Sequence, residues 1–237
     1  MRRNLVIVRA GRDSRHPEWL AGASLRNFDV MVSHYASDAV LDEREADYVE
    51  LVPGMKWPRL HRLWTERRDW FLGYDACWFP DDDLSCDGAN VSRMFDVFHA
   101  HGLWLAQPAL APGSYVAHAI TRRASGHTLR FTNFAEVMCP LFERSALERL
   151  AYTFAQSVSG WGLDYLWPHL LGYPKNRIAI LDATPVVHTR PQGTGANYAR
   201  CTDLGVRPSS EARRILKRHG LAKPKLETYD SVAALEG

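Results

Sequence analysis

Short apolar runs alternate with amphipathic helices from the N-terminus onward, and this rhythm constrains the fold more than any other feature. Asn4 to Arg9 (NLVIVR) is a compact strand-like run that stops at Ala10-Gly11; Asp29 to Ser33 (DVMVS) is a second, and Asp47 to Leu51 a third. Trp57, Leu60, Trp64 and Phe71 then fall on one stripe of a helix over Lys56 to Leu72. Ala76 to Phe79 reads as a short buried strand. Val91, Met94, Phe95 and Phe98 recur at i, i+3, i+4 and i+7, which predicts a helix over Asn90 to His101. Leu103 to Gln107 reads as a strand stopped by Pro108. Strands separated by helices pair in parallel, because the helix carries the chain back to the same end of the sheet. The expected class is α/β: a single domain whose mostly parallel central sheet is flanked by helices.

The second half is more mixed. Arg130 to Met138 is extended and partly alternating, which suits a strand near the sheet edge. Ser145-Ala146-Leu147-Glu148 has the spacing of a capping box, the serine capping the Glu148 amide. Behind it Leu147, Leu150, Ala151 and Phe154 continue a helical face. Gly160 to Asp164 forms a tight loop leading into a short helix, which Pro168 would interrupt unless it sits in the first turn. Ile178 to Leu181 and Pro185 to His188 are two further strands. Past Arg190 the apolar rhythm lapses until a basic helix over Ser210 to His219, closed by Gly220.

Composition excludes several classes. The 237 residues, 46% hydrophobic and 24% charged, are those of one water-soluble globular domain with a sizeable core. A formal net charge of +2 leaves no electrostatic footprint for nucleic acid. The apolar run behind Arg2 and Arg3 is too short for a signal peptide or a membrane span. Cys77, Cys86, Cys139 and Cys201 have no CxxC spacing, so neither a zinc site nor a disulfide framework is expected. A cytoplasmic, reduced protein is the default expectation.

Asp81-Asp82-Asp83 follows the strand ending at Phe79, and carboxyl ends of strands in open α/β sheets are where ligands bind. In an extended backbone Asp81 and Asp83 point one way and Asp82 the other. Two readings stand: a divalent cation held between carboxylates and bridging to phosphates, or a solvated acidic turn with Asp87 capping the next helix. Trp161 offers an apolar face for a sugar ring, between two glycines that let the backbone approach a ligand; Asp164 is either a carboxylate in a dry pocket or a helix cap. His188 suits a manganese-like ion and Arg190 a phosphate. Glu136 lies in an apolar stretch, where a carboxylate needs partners, either functional or structural.

The segments Phe79-Pro80-Asp81-Asp82-Asp83-Leu84, Phe134 to Phe142 (with Glu136-Val137-Met138), Gly160-Trp161-Gly162-Leu163-Asp164 and Val187-His188 together resemble a poorly characterised domain-of-unknown-function family. Its plant members carry a name referring to lysine-ketoglutarate reductase trans-splicing, and the resemblance covers roughly residues 3 to 190. The same segments resemble, more distantly, GT-A fold nucleotide-sugar glycosyltransferases, with an Asp-x-Asp metal motif and a Trp-Gly-(x)-Glu-Asp acceptor segment. Leu163-Asp164 stands here where the Glu-Asp pair would.

That resemblance implies a GT-A-like domain over residues 1–204 and a basic helix and tail over 205–237. It implies Mn²⁺ or Mg²⁺ held by Asp83, Asp81 and His188, and a UDP-sugar-type donor bound by Arg9, Ala10, Gly11, Asp81, Asp82 and Arg190. Glu136, Trp161 and Gly162 would bind a carbohydrate or lipid-linked acceptor, and Asp164 would be the general base of an inverting transfer. Asp82 would be the bystander of the run. Two alternatives remain open: a sugar-phosphate nucleotidyltransferase, and a non-catalytic nucleotide- or carbohydrate-binding module. The basic helix has too narrow an apolar stripe, Ile215 and Leu216, for stable membrane insertion.

Overall fold

The computed structural model describes residues 1–21, 26–37, 39, 41–42, 46–191, 193–194 and 196–234. The first elements are strand β1 (Asn4–Ala10), helix α1 (His16–Leu20) and strands β2 (Phe28–His34) and β3 (Tyr48–Leu51). Helices α2 (Lys56–Glu66) and α3 (Arg68–Leu72), strands β4 (Ala76–Trp78) and β5 (Leu84–Ser85), helix α4 (Gly88–Ala100) and strand β6 (Leu105–Leu110) follow. The second half contains strands β7 (His127–Thr132) and β8 (Leu141–Glu143), helices α5 (Arg144–Leu150) and α6 (Leu163–Leu170), and strand β9 (Ile178–His188). Helices α7 (Ala196–Asp203) and α8 (Pro208–Arg218) and strand β10 (Thr228–Ala233) complete it.

The strands lie in the order β10-β7-β9-β6-β8-β4-β1-β2-β3, with β5 beside β9. β1 pairs in parallel with β2 and β4, β2 with β3, and β6 with β9. β8 runs antiparallel between β4 and β6, so those two point the same way. In this sheet β1, β2, β3, β4, β6 and β9 therefore share one direction, as the alternation of strands and helices predicts. Their carboxyl ends open onto a single edge.

Side chains of a strand alternate between the faces of its sheet, and β1 shows both faces covered. Leu5 and Ile7 join a core with Trp57, Leu60, Phe142, Phe154 and Trp167, while Val6 and Val8 join one with Trp19, Phe28, Trp78 and Phe95. Burying each of these large side chains contributes about 1.5–3 kcal/mol. The predicted stripe of Trp57, Leu60, Trp64 and Phe71 is buried throughout, although the helix breaks at Arg67 (φ −136°) into α2 and α3.

Several local expectations need correction. β6 continues through Pro108, where the register slips before Leu110; proline is tolerated at such irregularities. The two strands expected after Tyr173 are one, β9, because the Asp182 carboxylate between them is satisfied in place. Asp182 is fully buried against the Arg130 guanidinium (2.9 Å) and the Ala124 amide (2.8 Å). The cap of α5 is Glu143, whose carboxylate accepts from the amides of Ser145 (2.8 Å) and Ala146 (3.1 Å); Glu148 instead pairs with Arg68. Pro168 sits inside α6, past its first turn, which deprives the Asp164 carbonyl of its usual helical donor. α7 and β10 lie where no regular element is expected. Residues Asn133 to Met138 form a loop rather than a continuation of β7. Asp87 caps α4 through the Asn90 amide (2.7 Å). No described helix is long and apolar enough to cross a membrane.

Candidate active site

The shared edge of the sheet gathers the chemistry. Gly11 follows β1, Tyr35 follows β2, the aspartate run follows β4, and His188 ends β9 with Arg190 just beyond. Glu136, Val137 and Met138, in the loop before β8, complete one wall of a cleft lined also by Lys56, Trp57, Ser159, Trp161 and Tyr198.

The aspartates are not an alternating extended run. They make a turn, and each carboxylate goes to a different partner. Asp81 accepts from the Lys56 ammonium (2.7 Å), which also donates to the carbonyls of Val137 and Met138 (3.1 Å each). The Asp81 amide donates to the Met138 carbonyl (2.7 Å), so the run is stitched to the Glu136 loop twice. Burial pushes the Asp81 carboxyl up, and the ammonium offsets part of that rise.

Asp82, expected to be a bystander, is the most tightly bonded of the three and only 6% exposed. Its carboxylate accepts from the Gly11 amide (2.7 Å), the Tyr35 hydroxyl (3.4 Å) and the Arg190 guanidinium (3.1 Å). Burial raises its carboxyl against the pull of these donors. The first loop fits against this carboxylate closely: a Cβ on Gly11 would lie 2.2 Å from the Tyr35 hydroxyl oxygen and 3.2 Å from the Asp82 carboxylate.

Asp83 is 9% exposed, and its Oδ1 is enclosed without a hydrogen-bond donor. Its Oδ2 faces His188 Nε2 at 3.4 Å. The other ring nitrogen of His188 lies 2.7 Å from the Tyr115 carbonyl, which requires a proton on Nδ1 and leaves Nε2 directed at the carboxylate. Burial works against an imidazolium here, but the facing Asp83 outweighs it and raises His188 to about 8.

A buried carboxylate oxygen lacking a donor, beside an imidazole nitrogen whose ring is fixed by a carbonyl, is a donor set that suits one hard or borderline divalent cation. Among the described residues, no three His, Cys, Asp or Glu side chains are already gathered as a metal site. The expected ligand trio divides accordingly: Asp83 and His188 are together, whereas Asp81 is engaged by Lys56.

Two more carboxyls stand close by. Glu136 is 8% exposed, lines the cleft, and has an enclosed Oε2 without a hydrogen-bond partner. Burial, reinforced by Asp164, pushes it up to about 8. Asp164 is 5% exposed in the first turn of α6 and does not itself line the cleft. Its Oδ1 accepts from the Tyr165 amide (3.0 Å), and burial raises it to about 7 against such backbone bonds. It is not the cap of α6, a place held by Gly162 at φ +96°.

Other expected residues fall elsewhere. Arg9 is not among the residues that line the cleft and holds the turn after β3, donating to the carbonyls of Val52 (2.6 Å) and Gly54 (2.8 Å) and to the Ser33 hydroxyl (2.5 Å). Ala10 is fully buried in the sheet core. Gly162 is packed on α8, where a Cβ would come within 2.9 Å of the Ala212 backbone. Trp161 does line the cleft. Sequence reasoning missed Tyr35 as a cleft residue. Nothing local marks Lys56, the first residue of a helix, as a partner for Asp81.

No family model matches the chain, and no curated protein matches it. Solved structures do. S. aureus TarS 1–349 in complex with UDP-GlcNAc aligns with a TM-score of 0.54 at 13% identity, over 92% of this chain and 72% of TarS 1–349. The same TarS fragment without a named ligand gives 0.55 at 12% identity, and its complex with UDP 0.51 at 12%, with the same coverage in both. At this identity the likeness establishes architecture: the chain has the α/β fold of GT-A glycosyltransferase structures, a mixed sheet with flanking helices.

Proposed function

We propose that the protein is a metal-dependent glycosyltransferase that moves a sugar from a nucleotide-sugar donor of the UDP type to an acceptor hydroxyl, with inversion. One observation carries the reading. The aspartate run, His188 with Arg190, and Glu136, from three separate stretches of chain, line one cleft at the carboxyl edge of the parallel strands. Two carboxylate oxygens there are enclosed without donors. Desolvating such oxygens is costly unless a ligand completes them. The shared fold with TarS structures holding UDP-GlcNAc and UDP supports the same donor class.

In this reading Asp83 and His188 hold Mn²⁺ or Mg²⁺, which when bound stabilises the negative charge that develops on the departing diphosphate. Asp82 fixes the Gly11 loop and Arg190 around the nucleotide side of the cleft. Lys56 restrains Asp81 and adds a positive charge to the same wall. The Glu136–Asp164 pair manages the acceptor proton. Burial, reinforced by Asp164, raises Glu136 to about 8, so it keeps its proton near neutral pH, whereas Asp164, raised to about 7, gives its proton up first. Asp164, the more acidic, is the general base; because it does not itself line the cleft, it takes the acceptor proton through one bridging water, its affinity for a proton matched to neutral pH. Glu136 keeps the proton and positions the acceptor hydroxyl from the cleft wall. The acceptor is a carbohydrate, free or lipid-linked.

UDP release from UDP-GlcNAc in Mn²⁺ buffer, with and without EDTA, tests the assignment on wild type, Asp83→Asn and Asp164→Asn. EDTA and Asp83→Asn are expected to remove most turnover, and Asp164→Asn to lower it by about 10²–10⁴-fold. Metal-dependent turnover that is unchanged in both variants would sink the site.

A further inference from the structure

The C-terminal helix α8 is joined to the cleft by one buried carboxylate. Glu211, in its first turn, is 6% exposed and accepts four hydrogen bonds from a single loop. The donors are the Ser157 hydroxyl (2.8 Å), the Val158 amide (2.9 Å), and the Ser159 amide (2.9 Å) and hydroxyl (2.6 Å). The two serines pass the constraint forward: Gly160 donates its amide to the Ser157 oxygen (2.8 Å), and Trp161 donates to the Ser159 oxygen (3.2 Å). One residue further on, Gly162 lies against the Ala212 backbone with no room for a side chain. Val158, Ser159 and Trp161 line the cleft, and so does Pro208 at the start of α8. A carboxylate buried at this depth needs several donors to offset its lost hydration. Here all four hydrogen-bond donors come from the loop that presents Trp161, and Arg214 of the same helix adds an ion pair at 3.6 Å.

We propose that Glu211 is a positioning residue that sets the Ser159–Trp161 wall, and through it the capture of the acceptor. The acceptor part of this proposal rests on the glycosyl-transfer reading. The positioning part does not. Glu211 touches neither Asp83 nor His188; its hydrogen bonds go to the loop that carries the Ser159–Trp161 wall.

Fluorine NMR of protein labelled with 5-fluorotryptophan tests the positioning, with the Trp161 line assigned by Trp161→Phe. Glu211→Gln keeps the shape and removes the charge. It is expected to move or broaden the Trp161 line while the lines of the core tryptophans stay in place. Ser159→Ala, which removes one relay and leaves the carboxylate, is expected to do the same to a smaller degree. If Glu211→Gln does not fold, Ser159→Ala decides the matter alone. In parallel, UDP affinity by calorimetry should stay within about twofold of wild type. The KM for a para-nitrophenyl N-acetylglucosaminide acceptor, with UDP-GlcNAc as donor, should rise about tenfold, in line with the sensitivity of transfer to small misplacements. An unmoved Trp161 line overturns the proposal, as does a loss of UDP affinity in step with acceptor affinity. Wild-type protein that turns over no donor would contradict the transfer reading instead, and the Trp161 line would still test Glu211.

Discussion

Glu136 and Asp164 owe their chemistry to burial. Among the described residues neither has a basic side chain within hydrogen-bond reach, and Glu136 leaves an enclosed oxygen without a donor. Burial raises both carboxyls, Glu136 to about 8 and Asp164 to about 7. A folded-state pKa above the unfolded value of about 4 means that the native protein binds the proton more tightly. Stability is then greatest while the group is protonated, and declines as pH rises from about 4 through the folded value. Glu136→Gln is therefore expected to raise stability by about 2–4 kcal/mol at pH 8.5 and by much less at pH 4, while lowering turnover. Urea denaturation at the two pH values checks this, and an equal effect at both would show that Glu136 is charged and paired in the native state. At this scale the residue types of the site were legible in the sequence. Their partners were not. Asp82 looked dispensable in an alternating run, but the turn sends its carboxylate to Gly11, Tyr35 and Arg190, which lie 71, 47 and 108 residues away. Arg9, read as the end of the first strand and expected beside the donor, sends its guanidinium to the carbonyls beyond β3.

Among elements, α2 and α6 pack together through aromatic rings, and Trp57 of α2 also lines the cleft. The Trp57 ring meets Trp167 of α6 at 5.3 Å and Phe154 at 4.9 Å between centroids, and its indole leaves no space for a side chain on Gly160. Trp57→Ala is expected to cost about 3–5 kcal/mol through the cavity it leaves, and to loosen the Gly160–Trp161 loop above it. Thermal unfolding, with hydrogen exchange at residues 158–162, measures both. A loss below 1 kcal/mol would mean that the ring is not a structural support. Elements with an apolar period were read from sequence nearly to their ends: β1, β2, β3 and α4 each fall within two residues of expectation. Elements whose order comes from long-range partners were not. β9 passes through Asp182 because Arg130, 52 residues away, neutralises it. β10, mostly exposed, takes its strand form from pairing with β7, and its sequence carries little apolar signal of its own.

Across the whole molecule, the direction of six strands brings the loops after β1, β2, β4 and β9 to one edge, and function follows from that topology. The α/β class was readable because alternating strands and helices leave few ways to close a sheet. The antiparallel insertion of β8 was not, since only three residues form it and nothing in them marks direction. The same insertion carries Glu136 and Met138 to the end of β4, where they meet the aspartates. The fold thus places the proposed metal pair and Glu136 in one cleft, with Asp164 near enough to act on the Glu136 charge, although Asp83 and His188 are 105 residues apart in sequence. The most direct test of that arrangement is a crystal soaked with UDP and Mn²⁺ and measured for manganese anomalous scattering. A peak about 2.0–2.3 Å from the Asp83 carboxylate and His188 Nε2, with UDP density between Gly11 and Arg190, is the predicted result. UDP bound elsewhere, or in this cleft with no manganese near Asp83 and His188, would contradict it.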